Sequence, residues 1–222
     1  MNPPYPATSN LDVETTFLTL AKTVEPLNGG IAGHCARIAW ISVAVGAAME
    51  LASEDLLSLY CGAYLHDIGS VGISRSILLK PGELSTDEWS SVRCHPALGE
   101  EICKPLRACQ PFLPLIRSHH ERWDGSGYPD GLKGGQIPLL VRILQIADVY
   151  YSLVSPRPYR EPHSRDRALT TIQDEAARGW RDPTVVTLFL ETLAGPIQPP
   201  TLEDSSEMGD DLKRILSECR GG

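Results

Sequence analysis

The chain of 222 residues is predicted to fold as an all-α domain of about seven to nine helices, broken by one long glycine-rich loop. Three observations carry this expectation. Apolar residues recur at helical spacing in successive segments, as Leu11, Phe17, Leu18, Ala21 and Val24 do. Residues that start helices stand at the heads of those segments. No stretch alternates polar and apolar residues as a half-buried strand would.

Taken in order, residues 1–9 are rich in Pro and Asn and read as a flexible N-terminus ahead of a domain over residues 10–195. Asn10 can cap a first helix running to about Glu25, and Asn28-Gly29-Gly30 breaks it. A second helix is expected over Ile31–Leu51. A third starts at Ser53, with Glu54 and Asp55 where the helix dipole favours carboxylates. It ends in YLHDIG, with Gly69 as its stop. A loop over Ser70–Gly82 leads to Ser85-Thr86-Asp87-Glu88, a capping box. Pro96 opens a helix through about Pro105, and Pro114 opens the one that carries His119 and His120. The glycine-rich loop covers Asp124–Gln136. Pro138 then heads the apolar run PLLVRILQIADVYYSLV, and Ser164 and Asp182-Pro183 start two more helices. Residues 196–222 read as a flexible tail with a short terminal helix.

A hydrophobic content of 42% with 22% charged residues fits a globular domain. The net charge of −8 excludes broad electrostatic capture of a nucleic-acid polymer. A small phosphate ligand needs only a few local cations and stays compatible. The six cysteines form no C-x-x-C pair, and the opening MNPPYPATSN lacks the basic and apolar regions of a secretion signal. Free thiols in a reducing cytoplasm are therefore expected. The longest apolar run, Ile38–Met49, is too short to span a bilayer, so no membrane partner is expected.

Five of the six histidines, His34, His66, His95, His119 and His120, fall at predicted helix ends or breaks. His163 stands apart in a proline-flanked loop. Asp67 follows His66 directly, and Asp148 interrupts the apolar string ILQIADVYY, where a lone carboxylate is costly unless something positive meets it. Singly, each has an ordinary explanation. His34 can cap or fill a core, His95 can cap the helix that Pro96 begins, and Asp148 can pair with Arg142 or Arg157. Together they point to one polar centre in a helical domain. Imidazole and carboxylate without thiolate suit a divalent transition metal that activates water rather than a structural zinc knot. Seven such ligands fit two ions sharing one carboxylate, about 3.5–4 Å apart. Adjacent helical residues point about 100° apart. His119 and His120 can therefore meet one ion only near a helix end, and WDGSGYP provides the break.

With these residues in view, the chain resembles the HD-GYP family, the branch of the HD superfamily of metal phosphohydrolases that hydrolyses cyclic di-GMP. The matching stretches are HDIG (His66–Gly69), LLKPGELSTDEW (Leu78–Trp89), HPALGE (His95–Glu100), HHERWDGSGYPDGLKGGQIP (His119–Pro138), RILQIADVY (Arg142–Tyr150) and RPYR (Arg157–Arg160). The resemblance implies an HD-domain helical bundle with two divalent ions, typically iron or manganese. His34, His66, Asp67 and Asp148 would hold one ion. Asp67 would bridge to a second, held by His95, His119 and His120. His66 and Asp67 would be catalytic, and a bridging hydroxide would cut a 3′–5′ phosphodiester of the cyclic dinucleotide to give linear pGpG and GMP. The loop would wall the pocket, with Tyr128 against the ligand and Gly127 allowing close backbone approach. Arg157 and Arg160 would meet phosphate or guanine, as a guanidinium fork suits both; otherwise they form a solvated surface pair.

Three departures stand out. Ser70 replaces the family's usual lysine after HDIG, removing a cation expected to touch the scissile phosphate. Gly30 replaces the glutamate of three-metal relatives, which favours two ions. Tyr151-Ser152-Leu153 replaces the usual Asp-Ala-Leu. A phosphodiesterase, a receptor that binds ligand or metal without turnover, and a phosphohydrolase for a different nucleotide are the three readings. Regulation is expected from a protein partner, from ligand supply or from the flexible ends.

Overall fold

The computed structural model describes Thr19, residues 33–156 and residues 161–194. The expected helix from Asn10, Gly30, Arg157, Arg160 and the tail with its short helix lie outside the described residues, apart from Thr19. Among the described residues all regular structure is helical. In chain order it comprises α1 (His34–Ala48), α2 (Ser53–Leu65), α3 (Arg75–Leu78), α4 (Thr86–Val92), α5 (His95–Cys103), α6 (Leu113–Ser118), α7 (Leu139–Val154), α8 (Arg165–Ala177) and α9 (Pro183–Ala194). Short 3-10 turns cover Ile68–Gly72, Arg107–Phe112 and Gly134–Gln136.

Helix α1 is the central rod. Ile38, Ala39, Trp40, Ile41, Val43, Ala44 and Val45 are all buried, so nearly its whole circumference is apolar and covered. It packs on α2 and α7, and α8 and α9 close the far side of the core. Burying a side chain of valine or leucine size contributes roughly 1.5–3 kcal/mol. That packing holds α1, because Gly33 at its N-terminus offers no side-chain cap. The α1–α2 approach is close at Gly46, where an added Cβ would sit 2.8 Å from Leu56 Cδ2 and Leu59 Cδ1. On α7, Val141, Ile143, Leu144, Ile146 and Ala147 face the core, and Tyr150 meets Phe189 of α9 edge-on at 5.5 Å.

The capping box at α4 forms in full: Glu88 N–H donates to Ser85 Oγ at 3.3 Å, and Ser85 N–H donates to Glu88 Oε2 at 2.7 Å. Ser164 caps α8 by accepting from Arg167 N–H at 3.3 Å. Three expectations need correction. Ser53 lies inside the first turn of α2, because the extended residue before the helix is Ala52. Helix α2 stops at Leu65, so Gly69 does not end it. Gly69 serves a close approach instead: a Cβ there would overlap the His95 carbonyl and the backbone nitrogen of Gly99, so the 3-10 turn rests main chain against main chain on α5. Third, α6 ends at Ser118, one residue before His119. No helix among the described residues is long and apolar enough to cross a membrane.

Candidate metal centre

Three histidines use the same bond to a carbonyl in the last turn of a helix. His66 ends α2 and its Nδ1–H donates to Ala63 O at 2.8 Å. His95, just past the last turn of α4, donates from Nδ1 to Val92 O at 2.8 Å. His119 ends α6 and donates from Nδ1 to Ile116 O at 2.8 Å. A carbonyl only accepts, so each Nδ1 carries a proton and each ring turns its Nε2 inward. His95 Nε2 and His119 Nε2 come within 3.0 Å of one another. The rings of His119 and His120 are 4.2 Å apart, and those of His95 and His120 are 5.0 Å apart.

Asp67 stands between two groups of ligand atoms. Its Oδ1 lies 3.1 Å from His95 Nε2 and 3.6 Å from His119 Nε2, while Oδ2 lies 3.6 Å from His66 Nε2. Asp67, His95, His119 and His120 form one cluster whose ligand atoms all lie within 4.8 Å of each other, and His34, His66 and Asp148 form a second. His34 opens α1 and Asp148 lies on α7, with His34 Nε2 and Asp148 Oδ1 at 3.9 Å. The packing of α1 on α7 sets that distance.

The electrostatics call for a cation. Burial pushes the Asp67 carboxyl up, but the charge of His66 and the hydrogen bonds of His119 and His95 outweigh it and hold it well below the usual carboxylate range. Burial pushes His119 down, the charges of His66 and His95 adding to it, and depresses His120 further, the charges of His119 and His95 adding to it. Burial acts in the same sense on His95, yet the hydrogen bond and charge of Asp67 win and raise it. Two lone pairs 3.0 Å apart beside a carboxylate repel unless a positive charge lies among them. A proton on His95 answers that demand partly. A divalent ion bound by imidazole and carboxylate answers it in full, so the residues present fit such ions.

The glycine-rich loop is anchored from below. Glu121 is fully buried, and its Oε1 and Oε2 accept from the backbone N–H groups of Asp130 at 2.7 Å and Leu132 at 3.0 Å. Gln145 of α7 donates from Nε2 to Glu121 O at 2.8 Å and Ser118 O at 3.0 Å. Arg117 donates to both Asp130 oxygens at 2.8 Å and to Glu100 at 2.6 Å. At the other end of the loop, Trp123 N–H donates to Trp180 O at 3.0 Å and Gly134 N–H donates to Trp123 O at 2.9 Å. Tyr128 N–H donates to His120 O, and its ring stacks on the His120 ring at 4.8 Å. Gly127 is required by the chain itself. A Cβ there would overlap the backbone of Glu121 and Arg122, so the fold itself requires glycine at this position.

The remaining candidates fall as follows. Ser70 is buried in the 3-10 turn, and its N–H donates to Asp67 O at 2.9 Å. Asp148 does not pair with Arg142, which bonds Ile137 O and Asp182 instead. Tyr151 packs on His34 with ring centroids 5.1 Å apart, and Ser152 Oγ lies 3.5 Å from Asp148 Oδ1. His163 belongs to neither cluster. Glu121 and Gln145 escaped sequence reasoning. The signal for Glu121 was an acid directly after two histidines, and for Gln145 an amide in the same apolar string as Asp148.

A family model described as HD domain matches residues 20–185. The chain belongs to the HD domain family. Its motifs and relatives set it in the HD-GYP branch. It is 38% identical over 177 residues to the cyclic di-GMP phosphodiesterase response regulator RpfG of Xanthomonas campestris pv. campestris, covering 79% of this chain and 47% of the relative. It is 35% identical to the 3′3′-cGAMP-specific phosphodiesterase 3 of Vibrio cholerae, covering 78% and 39%. The HD chain thus spans less than half the length of these curated relatives. Among solved structures, a cyclic GMP-AMP specific phosphodiesterase of V. cholerae superposes with a TM-score of 0.70 at 22% identity, covering 91% of this chain and 53% of that one. The PgpH HD domain of L. monocytogenes in complex with cyclic-di-AMP gives 0.57 at 16%, covering 87% and 96%. Both likenesses support the HD fold.

Two outcomes follow for the loop anchors. Glu121→Ala strands two backbone donors and lowers stability by about 1.5–3 kcal/mol for each bond lost. Glu121→Gln keeps one acceptor oxygen and loses roughly half as much, and urea denaturation of the two variants checks the order. The Arg117 guanidinium holds the Asp130 carboxyl below its ordinary range. Asp130 therefore titrates lower folded than unfolded. Its pairing stabilises the protein above about pH 4, near the unfolded value, and that stability is lost as pH falls through the lower folded value. The stability gap between wild type and Asp130→Asn is flat above that pH and shrinks below it, read from denaturation midpoints between pH 7 and pH 3.

Proposed function

We propose that this chain is a metal-dependent phosphodiesterase that cleaves a 3′–5′ linkage of a cyclic dinucleotide, cyclic di-GMP before 3′3′-cGAMP. The observation that carries the reading is the two-sided placement of Asp67, with Oδ2 toward His66 and Oδ1 toward His95 and His119. The relatives named for cyclic di-GMP and for 3′3′-cGAMP support the substrate class. Two divalent ions, iron or manganese, would be held by His34, His66, Asp67 and Asp148 on one side and by Asp67, His95, His119 and His120 on the other. When bound, they supply water that is acidic enough to act as a nucleophile near neutral pH, and a clamp on phosphoryl oxygen.

The chain's own groups do the rest. The Nδ1–H bonds to main-chain carbonyls fix the tautomer and aim of His66, His95 and His119. His66 and Asp67 occupy the turn nearest both clusters and take the catalytic role. Tyr128 borders the site on the stacked His120 ring. Burial and the Asp67 charge push its phenol up to about 12, against the opposing charge of Arg93. Its hydroxyl stays protonated at neutral pH and is able to donate to a phosphate oxygen. Arg157 and Arg160 are assigned to phosphate or guanine on the strength of the RPYR motif. The five free thiols among the described residues suit a reducing cytoplasm.

Protein loaded anaerobically with iron or manganese is expected to release linear pGpG in a single-turnover assay, and His66→Ala abolishes the release. Tight ligand binding at full metal occupancy with no product overturns hydrolysis and leaves a receptor. Position 70 lacks the cation of the family motif, so Ser70→Lys is expected to raise kcat. An unchanged or lower rate shows that the serine is no deficit.

A further inference from the structure

We propose that Arg93 is a substrate-binding residue whose guanidinium, held over Tyr128 at the edge of the metal centre, takes a phosphate of the cyclic dinucleotide. The proposal rests on the phosphodiesterase reading above and adds a specific cation to it.

The geometry is a stack. Arg93 closes the C-terminus of α4, two residues before His95. Its Cζ lies 5.5 Å from the centroid of the Tyr128 ring. The stack of Tyr128 on His120, 4.8 Å between centroids and 29° between planes, joins the cation to the cluster. A guanidinium over an aromatic face is held in position while its N–H donors stay in plane and available. Arg93 is exposed, and among the described residues it makes no ion pair, whereas Arg117, Arg142 and Arg181 are each bound to a carboxylate. An uncommitted fork beside an anion-cleaving centre has the chemistry for bidentate phosphate recognition.

Two further observations define the ligand. The protein carries a net charge of −8 and places Ser70 where the family motif has a lysine, so an anionic ligand needs cations from elsewhere. Trp89 lies one turn before Arg93 on the same face of α4 and is 48% exposed. An exposed indole beside a free guanidinium offers a flat apolar surface next to a phosphate donor, which is what a nucleotide presents in reverse.

The test compares metal-loaded wild type, Arg93→Ala and Arg93→Lys in equilibrium binding of cyclic di-GMP and 3′3′-cGAMP, in steady-state hydrolysis and in metal content. Loss of a charge-assisted contact is expected to weaken binding and raise KM about tenfold or more. The effect on kcat is smaller, metal content is unchanged, and Arg93→Lys recovers part of the affinity. The KM of wild type also climbs more steeply with KCl than that of Arg93→Ala. Equal affinity in wild type and Arg93→Ala overturns the assignment and leaves the phosphodiesterase reading intact. A loss that tracks a fall in metal content also overturns it, because Arg93 would then be a support for His95. A wild type that neither binds nor cleaves either dinucleotide defeats the phosphodiesterase reading itself, and the assignment with it.

Discussion

One bond, made three times, governs the centre: an imidazole Nδ1–H donated to a main-chain carbonyl at the end of a helix. The last carbonyls of a helix have no partner within it. His66 and His119 stand directly past such an end, His95 opens α5 three residues beyond the end of α4, and each satisfies one of those carbonyls. The return is directional, because the ring is then locked and its far nitrogen points one way. Helices α2, α4 and α6 bring three locked rings to the two oxygens of Asp67. The lone pairs repel one another, and that repulsion is what makes the site selective for positive charge. A covalently similar cluster with loose rings would turn away and lose the demand.

The same economy joins the centre to its loop. Helix α7 places Asp148 in one cluster and, three residues earlier, sends Gln145 to the carbonyls of Ser118 and Glu121. Residues three apart share a helix face, so one rod registers both features. Glu121 then carries the register onward to Asp130 and Leu132 with its two oxygens. The chain from His119 to Leu132 is held by the buried acceptors of Glu121 as well as by Leu132 packing on the core, which is how a loop so rich in glycine presents Tyr128 in a fixed place.

Much of this was legible in the sequence where the physics is local. The capping box at Ser85 and Glu88, the helix starts at Pro96, Pro114, Pro138 and Ser164, and the chemistry of the seven candidate ligands all follow from short-range rules. The family of the chain was legible from motifs in register. What was not legible depends on who the neighbour is. Gly69 reads as a helix stop because glycine often is one, yet its neighbour is the backbone of α5. Ser53 reads as a cap because serine often is one, yet the chain turns at Ala52. Nothing local marks Glu121 as an anchor, because the two N–H groups it accepts come from Asp130 and Leu132 further along the chain. Nothing local marks Arg93 either, because Tyr128 comes to it from far along the chain.

The contact of Gly69 with α5 has a mechanical consequence. Gly69 presses on the His95 carbonyl and on Gly99, and Gly99 in turn leaves no room between itself and Ile116 of α6. Where two backbones touch without side chains between them, there is no soft layer to shear. The HDIG turn and the start of α5 therefore translate together as a single strut, and the spacing of Asp67 from His95 is insulated from breathing elsewhere in the bundle. Relative movement of elements has more room outside that strut, where side chains separate the backbones.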